Sequence, residues 1–241
     1  KLAFASDRSG YWDLYVIDLQ TGEATQITNS PEYDSSPSWS PDSQWLVFET
    51  YINENLEISV VSVNDRAQPV LPVTEDPASD HSPIWAPDGR HVAFISTRGS
   101  DSDVWLANLD LIGPERYQNL SNTPLAAENH PVWNYDGSKL LWSSTSHSVG
   151  FSGLYVWDAS DPTRSAHWIG DGVWGAWNET AEKIVAVTNS ANQNYLTAYD
   201  VNGTLLISPT PLNGRVRGLT WGFARSEEHT SEPSHTVISY A

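Results

Sequence analysis

The 241 residues include 30 Asp and Glu against 12 Lys and Arg, a formal charge of −18, which excludes an electrostatic grip on nucleic acid or on an anionic membrane surface. With no cysteine the chain can form no disulfide, zinc–thiolate centre or thiol nucleophile. Hydrophobic residues (39%) are plentiful enough for a packed core, charged ones (17%) too few for a charge-swollen disordered chain, and no apolar run approaches the roughly 18 residues of a membrane-spanning helix.

Twelve Trp and ten Tyr, set among 15 Gly and 15 Pro, describe many short strands broken by turns. The chain opens at Lys1 inside a strand-like run, 2–6, with neither an initiator Met nor a signal peptide, and so reads as a fragment or a processed product. DLYVID at 13–18 and ATQITNS at 24–30 are the next two strands. A unit then begins that recurs along the chain. PSWSPDSQWLVFET spans 37–50, PIWAPDGRHVAFIST spans 83–97 and PVWNYDGSKLLWSST spans 131–145. A weaker copy, GAWNETAEKIVAVTN, spans 175–189, and LTWGF at 219–223 begins another. The anchor residues Trp39, Trp85, Trp133, Trp177 and Trp221 are 46, 48, 44 and 44 residues apart.

Each unit reads as four strands. A short strand ends at the anchor Trp, and a turn such as Pro87-Asp88-Gly89 or Tyr135-Asp136-Gly137 follows, since Gly tolerates positive φ and Asp bonds its own backbone. Apolar second strands are expected at 45–50, 91–96, 140–145 and 184–189, and third strands at 57–63, 103–109 and 153–159. These strands are apolar on both faces: Leu46 and Phe48 alternate with Val47, and Val104 and Leu106 with Trp105 and Ala107. A sheet with one wet face alternates instead, so each sheet must lie between neighbours, as radial stacking provides. The fold class is all-β, a β-propeller of four-stranded antiparallel blades.

The units resemble the TolB-like (WD40-like) propeller repeat, most closely where 2–18 reads LAFASDRSGYWDLYVID and 85–98 reads WAPDGRHVAFISTR. The resemblance covers residues 1–224 and weakens where Asn178-Glu179-Thr180 replaces Pro-Asp-Gly. About five blades are present. Either 218–222 completes the first blade and closes a five-bladed ring, or the chain is a truncated six- to eight-bladed ring; the six blades common in the family favour the second. The tail 225–241 has no relation to the repeat, and its RSEEHTSE resembles the conceptual translation of a sequencing adapter, although 236–240 would also suit a strand.

In a propeller the loops joining blades surround one mouth of the central channel. Those loops are expected to hold Asp34, Asp80, Glu128 and Asp171, each five or six residues before its anchor Trp, with His81 and His130 beside two of them. Such carboxylates either focus a negative field that draws a cation or a basic peptide, or cap local turns. The histidines suit turn packing, or a mixed metal site if they converge. Arg8 and Arg98, at equivalent repeat positions, would meet a ligand carboxylate or, as a structural salt bridge, the acidic loop residue of the neighbouring blade. Tyr11, Trp12, Tyr51 and Phe151 would suit a protein or sugar partner. No catalytic residue and no resident metal or cofactor is indicated: GFSG at 150–153 lacks the nucleophile-elbow spacing, and no phosphate loop or His-Glu-x-x-His occurs.

The resemblance implies a non-catalytic module that binds a protein or ligand, outside the cytoplasm in a bacterial envelope. Two alternatives stay open. One is the accessory propeller of a prolyl-oligopeptidase-type serine peptidase, whose catalytic domain would lie elsewhere. The other is a propeller polysaccharide lyase, against which the negative charge weighs unless a metal offsets it.

Overall fold

A computed structural model describes residues 1–99, 101–146, 152–190, 193–214, 216 and 218–219. Five antiparallel sheets follow one another along the chain. Sheet 1 has three strands among the described residues: β1 (Leu2–Ser6), β2 (Asp13–Ile17) and β3 (Ala24–Gln26). Sheet 2 comprises β4 (Asp34–Trp39), β5 (Trp45–Ile52), β6 (Asn55–Ser62) and β7 (Leu71–Pro72). Sheet 3 comprises β8 (Asp80–Trp85), β9 (His91–Ser96), β10 (Asp103–Asn108) and β11 (Tyr117–Asn119), with a single 3-10 turn at Pro114–Arg116. Sheet 4 has β12 (Ala126–Trp133), β13 (Lys139–Ser146), β14 (Gly153–Asp158) and β15 (His167–Gly170). Sheet 5 has β16 (Trp174–Trp177), β17 (Lys183–Ser190), β18 (Gln193–Asp200) and β19 (Leu205–Leu212). Sheets 1–3 form one compact unit, up to Pro124, and sheets 4 and 5 a second, from Leu125 onward. Among the described residues no helix is long and apolar enough to cross a membrane.

The expected four-strand unit is present in sheets 2–5, with the anchor residues Trp39, Trp85, Trp133 and Trp177 each closing a first strand. Gly218 and Leu219, expected to open a further strand, are not in one. Trp221, residues 147–151 and the tail 225–241 lie outside the described residues.

The two-faced second strands explain the packing. Leu46 and Phe48 join Leu14 and Val16 in a core between sheets 1 and 2, while Val47 points the other way, into a core with Val92 and Phe94 of sheet 3. In the second unit Leu141 and Leu154 of sheet 4 meet Ile184, Ala186 and Trp177 of sheet 5. A side chain of this kind contributes about 1.5–3 kcal/mol when fully buried, so stacking is what holds each sheet. Sheet 5 comes so close that a Cβ on Gly175 would stand 2.6 Å from Leu141 Cδ2.

The hairpin between first and second strands has one geometry throughout. A left-handed residue donates its N–H three residues back: Ser43 to Ser40, Gly89 to Ala86, Gly137 to Asn134 and Ala181 to Asn178. The divergent fourth copy therefore keeps the turn, and its register places Ala181, not Thr180 as expected, at the glycine position.

A polar clasp recurs where the third and fourth strands part. Asp103 accepts bonds from Asn119 Nδ2 (2.8 Å), Ser121 Oγ (2.9 Å) and the Thr123 N–H (3.1 Å), while Ser121 Oγ in turn accepts the Val104 N–H at 3.0 Å. Glu57 takes the Thr74 hydroxyl at 2.6 Å, and that oxygen accepts the Ile58 N–H at 2.8 Å. Asp13 accepts bonds from the Thr28 hydroxyl and Gln26 Nε2, with Thr28 Oγ1 accepting the Leu14 N–H. The ladder ends at these points, and the carboxylate–hydroxyl pair satisfies buried groups that strand pairing leaves open. In sheet 4 the positions are Gly153 and Gly170, and a Cβ on Gly153 would stand 2.3 Å from the Gly170 carbonyl oxygen. Close backbone approach there replaces the clasp.

Replacing Asp103 by Ala strands three donors in a part-buried site and is expected to lower unfolding free energy by about 2–4 kcal/mol, with Asp103→Asn milder because one acceptor oxygen remains. Urea denaturation of the two variants checks this; equal losses would assign the effect to packing rather than to the acceptor.

Candidate functional site

Asp34 and Asp80 open β4 and β8, and Glu128 is the third residue of β12. Expected in loops, they are in strands, and their exposures are only 3%, 0% and 1%. The physical reason is cross-strand pairing: Asp34 faces Thr50, Asp80 faces Ser96 and Glu128 faces Ser144, so each carboxylate meets a hydroxyl on the second strand. The Ser144 hydroxyl donates to Glu128 Oε1 at 3.0 Å. Buried in this way, the three do not form an exposed acidic surface. Asp171 alone is exposed, and its carbonyl accepts the Tyr199 hydroxyl at 3.1 Å.

Each of these first strands carries a bulge two residues after its acid, with Ser36, Ser82 and His130 at φ 53°, 53° and 55°. His130 is thus a bulge residue, whereas His81 precedes one, so the two histidines are not equivalent in the repeat. His130 lies against the Trp174 ring at 3.5 Å between centroids, and His81 Nδ1 is 3.1 Å from Ser82 Oγ. Burial pushes both imidazoles down, opposed at His81 by Glu49 and Asp80 and at His130 by a backbone bond at Val173. They are therefore neutral at neutral pH. Among the described residues no three His, Asp or Glu side chains gather as a metal-holding group.

The equivalent arginines have parallel surroundings. Arg98 stacks over Phe94, Trp105 and Tyr117, its guanidinium carbon 4.4 Å from the Tyr117 centroid. Its Nη2 lies 2.6 Å from Asp80 and its Nε 3.5 Å from Asp76. This is the structural ion pair, with a bridge to the loop leaving sheet 2. Arg8 stacks likewise over Phe4 and Tyr15, and bonds Ser6. Burial pushes the Asp80 carboxyl up, against the opposing pull of the Ser96 hydroxyl and Arg98.

Among the described residues Asp34 has no such cation. Position 98 of sheet 3 corresponds to Ile52 in sheet 2, by the 46-residue spacing of Trp39 and Trp85. Burial raises the Asp34 carboxyl above the usual range, with hydroxyl bonds from Thr50 and Thr28 opposing and the charge of Asp13 adding.

The predicted aromatic residues do come together in the first unit. Tyr11, Trp12 and Tyr51 are all exposed, and so is Tyr33, which sequence reasoning missed. The Trp12 and Tyr33 ring centroids are 6.1 Å apart, the Tyr51 N–H donates to the Tyr33 carbonyl at 2.9 Å, and the Asp34 N–H donates to the Trp12 carbonyl at 2.9 Å. Tyr33 was legible as the neighbour of Asp34; the signal was its position one residue before a repeated acid. Phe151 lies outside the described residues.

Arg98→Met leaves Asp80 buried without its cation, an expected loss of about 3–5 kcal/mol at neutral pH. Asp80 would then bind a proton more readily folded than unfolded, so the variant loses stability as pH rises above the ordinary aspartate range and the deficit shrinks in acid. Denaturation at pH 7 and pH 4 checks the slope, and adding Asp80→Asn should recover most of the loss.

No protein-family model matches the chain. Solved structures do. TolB from Acinetobacter baumannii superposes with a TM-score of 0.69 at 21% identity, covering 88% of this chain and 51% of TolB. A TolB-type protein from Agrobacterium tumefaciens gives 0.53 at 15%, covering 86% of this chain and 62% of that one. A prolyl endopeptidase gives 0.63 at 15%, covering 88% of this chain and 33% of the peptidase. The chain thus spans about half the length of the A. baumannii protein. At these identities the likeness is one of fold: the chain is built from the blades of a TolB-like β-propeller.

Proposed function

We propose that this chain is a non-catalytic binding module that holds a protein partner outside the cytoplasm. The observation that carries this is the exposed aromatic surface of Tyr11, Trp12, Tyr33 and Tyr51, where Tyr51 bonds the Tyr33 backbone and the Trp12 ring lies 6.1 Å from that of Tyr33. Large aromatics bury much area at little conformational cost and dominate protein-binding hot spots, and leaving four in water is unfavourable unless something covers them. The fold shared with TolB proteins supports the module and its compartment. The buried state of Asp34, Asp80 and Glu128 shifts the role from an acidic surface to this aromatic one. A second reading, the accessory propeller of a prolyl-oligopeptidase-type peptidase, draws on the likeness to a prolyl endopeptidase, of which this chain covers 33%.

A photoreactive phenylalanine analogue placed at Tyr11 or Tyr51 is expected to cross-link one protein in the envelope of producing cells. The same analogue at Tyr135, which is 80% exposed in the second unit, should not. Trp12→Ala with Tyr33→Ala should weaken the captured complex at least about tenfold, with the circular dichroism spectrum unchanged. Equal cross-linking at all three positions would remove this surface from the reading.

A further inference from the structure

The first three strands of sheets 2 and 3 are copies displaced by 46 residues, so each position in one has a counterpart in the other, and one difference between them leaves a buried carboxylate with no cation among the described residues. In sheet 3 a cleft of 550 Å³ is lined by Arg98, Trp105 and Tyr117. Asp80 is not part of its wall, because it is covered by the Arg98 guanidinium bonded to it at 2.6 Å. In sheet 2 the counterparts of Arg98, Trp105 and Tyr117 by strand register are Ile52, Ser59 and Val70, all smaller. The corresponding cleft, 300 Å³ between sheets 1 and 2, is lined by Asp34 itself with Phe48, Thr50, Ile52 and Ser59.

We propose that this cleft binds a guanidinium group from outside the fold, in the place that Arg98 occupies in the next repeat. The Asp34 carboxylate is 3% exposed and lines a cavity, and the bonds it takes are from neutral hydroxyls, those of Thr50, Thr28 and Ser30, the last at 3.4 Å. Phe48 supplies the aromatic face that Phe94 offers to Arg98 at 5.5 Å. Thr50 and Ser59 add hydroxyl oxygens as acceptors for the remaining N–H groups of a planar fork. One carboxylate among hydroxyls is a small donor set for calcium, which takes about six to eight oxygens. Glu32 at the rim adds negative charge, and Arg66, also at the rim and exposed, forms no ion pair with Asp34 among the described residues. The site stands independently of the aromatic surface, since it rests on Asp34 and the cleft alone.

The test is calorimetric titration of the whole chain with acetyl-Gly-Arg-Gly-amide and, separately, with methylguanidinium, with acetyl-Gly-Lys-Gly-amide as the control. The arginine peptide is expected to bind more tightly than the lysine peptide. Asp34→Asn should weaken it at least about tenfold. Ile52→Arg should abolish binding by supplying the guanidinium internally, and its circular dichroism spectrum verifies that it folds. Binding of the peptide alone identifies an arginine of a polypeptide as the ligand; binding of methylguanidinium as well identifies a free small cation. The proposal is overturned by no binding of either probe at about 10 mM, by affinity unchanged in Asp34→Asn, or by binding that emerges only in Arg66→Ala, which would show that Arg66 already holds the carboxylate.

Discussion

Val47 and Phe48 are neighbours in one strand and belong to different cores, and the structure of each unit follows from that division. A strand buried on both faces has no wet side on which its sheet could survive alone, so every sheet depends on the sheets that flank it. The constraint reaches the connections too. Once side chains from two sheets interdigitate, the backbone at the strand ends is also removed from water, and its donors and acceptors need partners that the ladder no longer supplies. The carboxylate–hydroxyl clasps at Asp13, Glu57 and Asp103 are placed at those ends, and so are the first-strand acids opposite Thr50, Ser96 and Ser144. Acidic residues that make the chain look highly charged are thus partly interior bonding groups.

This explains what could be read from the sequence and what could not. The repeat was legible because it is enforced by packing: Trp39, Trp85, Trp133 and Trp177 close their strands as expected, and the strands 2–6 and 91–96 have the expected bounds. The pairing of Arg98 with an acid was legible for the same reason, since a guanidinium among apolar neighbours must find one. The burial of Asp34, Asp80 and Glu128 was not, because an acid five residues before a Trp has the same spacing whether the strand begins before it or after it. Only the register with Thr50, Ser96 and Ser144 decides that. Asp13, Glu57 and Asp103 carried no visible role, as their hydroxyl partners lie 15 to 18 residues away on another strand.

Departures from the repeat say more about function than the repeat does. Each has either a compensating change nearby or none. Gly153 and Gly170 in sheet 4 depart together, and the backbone closes the space that a carboxylate would need. Ala181 departs from glycine with its hydrogen bond intact. These are substitutions the fold has absorbed.

Ile52 is of the second sort. In the neighbouring repeat the acid, the guanidinium and the aromatic stack form one assembly, and each part makes the others tolerable: the cation neutralises Asp80, and the rings shield the pair. In sheet 2 the guanidinium and both flanking rings are replaced while the acid remains, buried and facing an open cleft. Asn at position 34 would keep one acceptor oxygen for the surrounding hydroxyls without the desolvated charge. A carboxylate kept where the described residues supply no cation has a physical rationale when the cation arrives from outside.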